Sequence, residues 1–370
     1  MFPRRYTNLD AARALFGDRV DRLGPYLTRV DEVADRCLDA IEHMPAGLGA
    51  RMFDDAARRG IASTPDAPES FRELFDQTER VPLWVDWDVL DRGGALLLRA
   101  GPLGGLVLAL KSLVSGYRSP AGNKPLAFSG RLTEQAPRRL RETGRFIQTT
   151  IQKGGLRPHA DGYSLTLKVR LIHAGVRRMI LRSGRWNAEA WGAPVNQHDQ
   201  MGTSLLFSAV LLEGLEQLGV RIPREDADAY MHLWRYSGYL MGIDPELLPS
   251  TQAEGDRLTQ LLEATHGEPD EDSRRLTRAL LDAPLREAKT RGQRKSARRL
   301  AQFSAGMCRE LVGDDVADKL AVPRSSWRLM FPLVRGVVSS VELIRESVPY
   351  AGLPAAWAGS MYWDRATAAA

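Results

Sequence analysis

Apolar residues recur along this chain at spacings of three and four, and nowhere in a sustained alternation of two. That rhythm predicts helices over residues 30–42, 54–60 and 70–78, the last entered from a Pro-rich turn at 63–68 that offers N-caps. A strongly apolar segment, 93–117, is interrupted by Arg99, Pro102, Gly104, Gly105 and Lys111. It reads as a buried helical hairpin or a pocket wall and is too broken to span a bilayer. A loop punctuated by Gly116, Pro120, Gly122, Pro125 and Gly130 follows. The next helix is expected over 137–153, with Thr133 or Glu134 near its start and Gly154–Gly155 as its stop. Helical spacing returns around His173 and ends near Ser183–Gly184. It then covers 201–219, with Leu205, Leu206, Ala209, Leu212 and Leu215 in one stripe, 223–239 and 276–299. The neighbourhoods of Cys308, Ala317 and Leu333 also read as helix. The expectation is an all-α fold, one large helical domain. Residues 1–80 would pack on it as a helical appendage, 81–370 would form the main body, and 268–272 (EPDED) would be an exposed loop.

Composition narrows the class. Of 370 residues, 44% are hydrophobic and 26% charged, enough to bury a sizeable core. The net charge is +5, but acids interleave with the bases. The densest basic run, 286–299, reads as a solvated helix face without the aromatic interleaving of a nucleic-acid binder. Cys37 and Cys308 are the only cysteines, in no metal-like spacing, which argues against a disulfide framework, a zinc knuckle or an iron–sulfur cluster. Arg4–Arg5 is followed by Tyr6, Thr7 and Asn8 rather than an apolar stretch, so a cytoplasmic location is expected. Walker, Rossmann, GxSxG and HExxH motifs are absent.

Four constellations carry candidate chemistry. Asp228 and His232 share one helical turn, a weak metal pair better read as structural, and His198–Asp199 lacks an accompanying nucleophile. On the helix expected over 137–153, Thr143–Gly144 notches a face formed by Leu140, Ile147 and Ile151, with Arg139, Glu142 and Phe146 adjoining. Such a notch suits either a close helix crossing or a flat cofactor with a small gas. In the run LKVRLIHAGVRRMILRSGRW, Leu165, Val169, Ile172, Val176, Met179 and Ile180 form an apolar face, and His173 stands at its edge beside Arg170 and Arg177. A histidine there is either a hydrogen-bonded structural residue or an iron ligand whose apolar wall covers a porphyrin and whose arginines pair with propionates.

The segments SGRL…RRLRETGRF, VRLIHAGVR, GRWNAEAWGAPVNQHDQMGTSLLFS and GYLMGIDPELLP together resemble the rubber oxygenase (latex-clearing protein) catalytic domain, which is shared with a side-chain oxygenase of mycophenolic acid biosynthesis. The resemblance spans about 93–250 and is densest over 130–207. It implies a globin-like helical core holding haem b, His173 as the proximal iron ligand, and Arg170 and Arg177 either near the haem or holding the His173 helix in place. Family members carry a distal arginine and a Lys–Thr pair one helix earlier. Aligned on His173, these positions hold Arg139, Glu142 and Thr143, so a carboxylate replaces a lysine that can ligate iron in the closed pocket. Lys124 is a candidate substitute ligand. The family's catalytic glutamate has no acidic counterpart over 122–124, which leaves Glu142 as candidate base. The implied activity is a haem-dependent oxygenase using dioxygen on an apolar, alkene or isoprenoid-like small molecule by C=C cleavage. Leu140, Phe146, Ile147 and residues 106–110 would line its pocket. The alternatives are a haem sensor or carrier without turnover, and a non-haem helical interaction protein.

Overall fold

The computed structural model describes residues 2–128, 136–347 and 352–367, and every regular element among them is helical. The expected start of the 137–153 helix at Thr133 or Glu134 lies outside the described residues. Its body runs Ala136–Ile151, and Gly154, at φ +68°, turns the chain while its N–H donates to Asp91. The His173 helix runs Asp161–Arg182 and packs against Ala136–Ile151.

Two long predicted helices are broken. The 201–219 stretch is two helices, Gln197–Phe207 and Ala209–Gln217, hinged at Ser208 (φ −112°, ψ −94°). The 276–299 stretch becomes Glu271–Leu281, Ala283–Glu287 and Arg291–Val312. Here local chemistry overrides periodicity: Pro284 restarts the chain in its first turn, and a Thr290–Gln293 capping box opens the last helix.

The expected apolar hairpin is a right-angled pair instead. Trp87–Ala100 and Pro102–Gly116 meet at 86°, and among the described residues no single helix is long and apolar enough to cross a membrane. Val107, Leu108 and Leu110 are buried in the main core rather than lining an opening. Gly93 and Gly94 let the first helix of the pair touch two others at backbone distance. A Cβ on Gly93 would stand 2.4 Å from Ala229 O, and one on Gly94 would stand 2.2 Å from Ile151 O. This fixes the Ala136–Ile151 helix relative to Arg224–Leu240.

Part of the 1–80 segment shares that core, while Tyr6, Ala12, Val20 and Leu27 form a small cluster of their own. Phe53, Phe71, Leu74 and Phe75 are fully buried in the same cluster as Tyr163, Leu167 and Tyr236. Near the N-terminus Arg5 grips Asp199 through two hydrogen bonds of 2.7 and 2.8 Å.

Candidate functional site

The Asp161–Arg182 helix shows two different sides. Its buried side carries Tyr163, Leu167, Arg170, Ala174 and Arg177. Arg170 donates to both carboxylate oxygens of Asp31 (2.6 and 3.0 Å), and Arg177 donates to Asp35 (2.7 Å), to Asp31 O and to Val195 O. Both guanidiniums are at most 3% exposed. Their buried ion pairs tie the His173 helix to the helix Glu32–His43 and its cap. Asp31 does a second task, capping the helix Glu32–His43 through Ala34 N–H.

The other side of the helix is less covered among the described residues. Ile172 and Met179 are 59% and 49% exposed, and Leu165, Val169 and Val176 are only partly buried. His173 stands at the border. Its Nδ1 lies 3.3 Å from Oε1 of Gln200, a residue 6% exposed whose Nε2 is buried without a partner. With the Gln200 amide oriented so that Oε1 faces the ring, Nδ1 is the donor and Nε2 presents a lone pair. Among the described residues that Nε2 has no hydrogen-bond partner. Burial pushes His173 below the usual imidazole range; the Gln200 hydrogen bond opposes this and Arg177 adds to it. The ring is neutral at working pH, the form that binds metals.

The Ala136–Ile151 helix packs against the His173 helix, and Arg139, Thr143, Phe146 and Ile147 share one of its sides. Phe146 and Ile147 are buried, whereas Arg139 and Thr143 are partly buried and make no hydrogen bond or ion pair among the described residues. Tyr117 belongs with them. Burial raises its pKa, and the nearby positive charge of Arg139 pulls against that shift. Phe207 stacks on Trp234 (5.2 Å, 15°) and meets Phe146 edge-on, forming an aromatic floor under the helix.

Glu142, expected as a candidate base, sits one helical step from Thr143, more than half exposed and paired with Arg138 at 2.8 Å. Lys124, offered as a replacement iron ligand, is held by Asp270 and Asp272 at 2.7 and 2.6 Å. Position 123, where an acid was sought, holds Asn123, buried and bonded to Tyr117 O and Ser273. Asp228 and His232 are structural: one accepts from Gln252 N–H, the other from Asp86 N–H. Among the described residues no group of three or more His, Cys, Asp or Glu side chains forms a metal site.

Sequence reasoning missed Gln200, Tyr117 and Phe207. The stretch holding Gln200, NQHDQ, is an assembly of anchors. Asn196 caps the helix Gln197–Phe207, Gln197 ties Gly242 O and Asp244 N–H, and Asp199 receives Arg5. Burial alone would raise Asp199, but Arg5 overrides it and holds the carboxyl well below its ordinary range.

The all-helical core agrees with the class that the sequence match defines: this chain belongs to an oxygenase catalytic-domain family. Residues 87–341 match the family described as "ER-bound oxygenase mpaB/B'/Rubber oxygenase, catalytic domain". The chain is 27% identical over 224 residues to the rubber oxygenase of Streptomyces sp. (strain K30), a stretch covering 60% of this chain and 55% of that relative. It thus spans about half the length of the curated relative it matches. Its fold is similar to that of latex clearing protein LCP in the closed state, with a TM-score of 0.66 over 91% of each chain at 22% identity.

Proposed function

We propose that this protein is a haem b-dependent oxygenase that uses dioxygen to cleave a C=C bond in an apolar, isoprenoid-like small molecule. The observation that carries the reading is His173 beside Gln200, whose Nε2, unpartnered among the described residues, borders an apolar helix face on which Ile172 and Met179 are exposed. This donor set fits a haem: one imidazole, the Gln200 amide hydrogen-bonded to its other nitrogen, and a hydrophobic wall for the macrocycle. Haem iron, when bound, supplies the dioxygen chemistry. The rest falls to the chain's own residues.

His173 would hold the iron, and Val169, Ile172 and Val176 would cover one macrocycle face. Arg139 and Thr143, unengaged elsewhere, would donate hydrogen bonds where negative charge develops on oxygen. Tyr117, kept protonated by burial, is a further O–H donor beside Arg139. Phe146, Ile147 and Phe207 would exclude water and accept the apolar substrate. The overall reaction balances without an external reductant: each carbon of the broken double bond takes one oxygen atom of O2 and leaves as a carbonyl.

The test is an absorption spectrum followed by oxygen uptake. Haem-loaded protein should show a Soret band that His173→Ala loses while circular dichroism is unchanged. It should also consume oxygen with a polyisoprenoid. Absence of the band ends the haem reading; a band without oxygen uptake on any alkene leaves a carrier or sensor.

A further inference from the structure

The helix Phe331–Ser347 is anchored on one side and bare on the other. On the inner side Ser339 donates to Gly219 O, Arg221 N–H donates to Glu342, and Arg221 pairs with Glu346 at 2.9 Å. On the outer side Leu333, Val337, Val341 and Ile344 are between 56% and 65% exposed, and Leu329 in the preceding turn is 75% exposed. Gly336 and Ser340 fill the spaces between them, and a Cβ on Gly336 would meet nothing within 4 Å. At 3.6 residues per turn, Arg335, Glu342 and Glu346 fall on the opposite half, and Arg345, at the border one turn from Val341, is paired with Glu342 at 2.9 Å. No unpaired charge stands on the outer face.

A cationic run adjoins it. The helix Arg291–Val312 opens with Arg291, Arg294, Lys295, Arg298 and Arg299, all exposed and none in an ion pair among the described residues. Phe303 of the same helix meets Trp327 edge-on at 6.0 Å, just before the bare face begins. Arg299 lies one turn ahead of Phe303 on that side, and its neighbour Leu300 is half exposed. A contiguous apolar surface flanked by unpaired cations is costly in water and complements an anionic lipid surface in both its parts. A second copy would match the apolar part but would bring a further run of like charge.

We propose that this face docks the protein on an anionic bilayer. The Leu329–Ile344 side chains would enter the boundary between headgroups and acyl chains, and the 291–299 cations would rest on the headgroups. This goes beyond the oxygenase reading, and its readout does not involve iron.

The experiment is co-sedimentation of the full chain with phosphatidylcholine vesicles, with and without about a third phosphatidylglycerol. Binding is expected to the anionic vesicles and to fall with salt. Leu333→Asp/Val337→Asp and Lys295→Glu/Arg299→Glu should each weaken it about tenfold. Unchanged circular dichroism and elution volume would confirm that each variant folds. Three results overturn the proposal: no binding by the unmodified protein, binding that neither pair of substitutions alters, or a dimer that the aspartate pair dissociates.

Discussion

Replacing Gln200 with leucine separates stability from cofactor retention, which substitutions at a binding site usually confound. Gln200 is 6% exposed; its Oε1 accepts from His173 Nδ1 and its Nε2 is an orphan donor. Gln200→Leu removes that orphan, whose burial costs ~1–3 kcal/mol, and strands the His173 N–H at a similar cost. The two nearly cancel, so stability of the haem-free protein should change by less than about 1 kcal/mol in urea unfolding. Cofactor retention has no such compensation. Loss of the acceptor frees the ring to rotate and weakens its donor nitrogen, an effect worth ~10–100-fold in metal affinity for second-shell partners. Transfer of haem to an excess of a scavenging apoprotein should accelerate by that factor. Gln200→Glu should act in the opposite sense, making the imidazole a stronger donor and lowering the iron reduction potential. If Gln200→Leu holds haem as tightly as the unmodified protein, the assignment of Nδ1 to Gln200 and Nε2 to iron is wrong.

Further outcomes follow from the same coordinates. Asp31→Ala leaves Arg170 buried without its counter-charge and should cost ~3–5 kcal/mol, with about 1 more from the lost helix cap; adding Arg170→Met should recover most of it, and a loss below about 1 kcal/mol in urea titration contradicts the pairing. Burial, reinforced by His198 and Arg5, pushes His266 from its ordinary 6.5 to about 3. The unfolded chain therefore binds more protons between those values, so stability should fall as pH drops from 6.5 towards about 3, and His266→Gln should flatten that slope. Glu142→Gln, on the exposed face, should leave stability within ~0.5 kcal/mol and oxygen uptake unchanged. Arg139→Ala should lower uptake by ~100-fold, the scale of losing a charge-stabilising donor.

Helix existence was legible because core-facing residues must recur with the helical period, and the border position of His173 followed from the same count. What periodicity could not show were partners supplied from far along the chain. Asp31 and Asp35 look like ordinary acids in a first helical turn, yet they neutralise arginines 139 and 142 residues away. Gln200 is 27 residues from the ring it orients and carries no periodic signal of its own. Glu142 was drawn to the site by its place beside Arg139 and Thr143 in the family pattern. A helix rotates each successive residue by a quarter-turn or more, and its outer neighbours Arg138 and Arg145 mark the side it shares. The two broken helices were missed because an apolar stripe continues across Ser208 and Pro284 while the backbone does not.

The charge clamps from Asp31 and Asp35 also redraw where this catalytic unit begins. Homology to the oxygenase domain starts at residue 87, but the counter-ions that seat the imidazole-bearing helix come from more than fifty residues upstream. A fragment cut at the homology boundary would lose both counter-ions together with the helices that cover this side, leaving Tyr163, Leu167 and Ala174 open to water. The leading eighty residues thus hold the Asp161–Arg182 helix in its seat, and a truncated version should retain them to keep that helix in place.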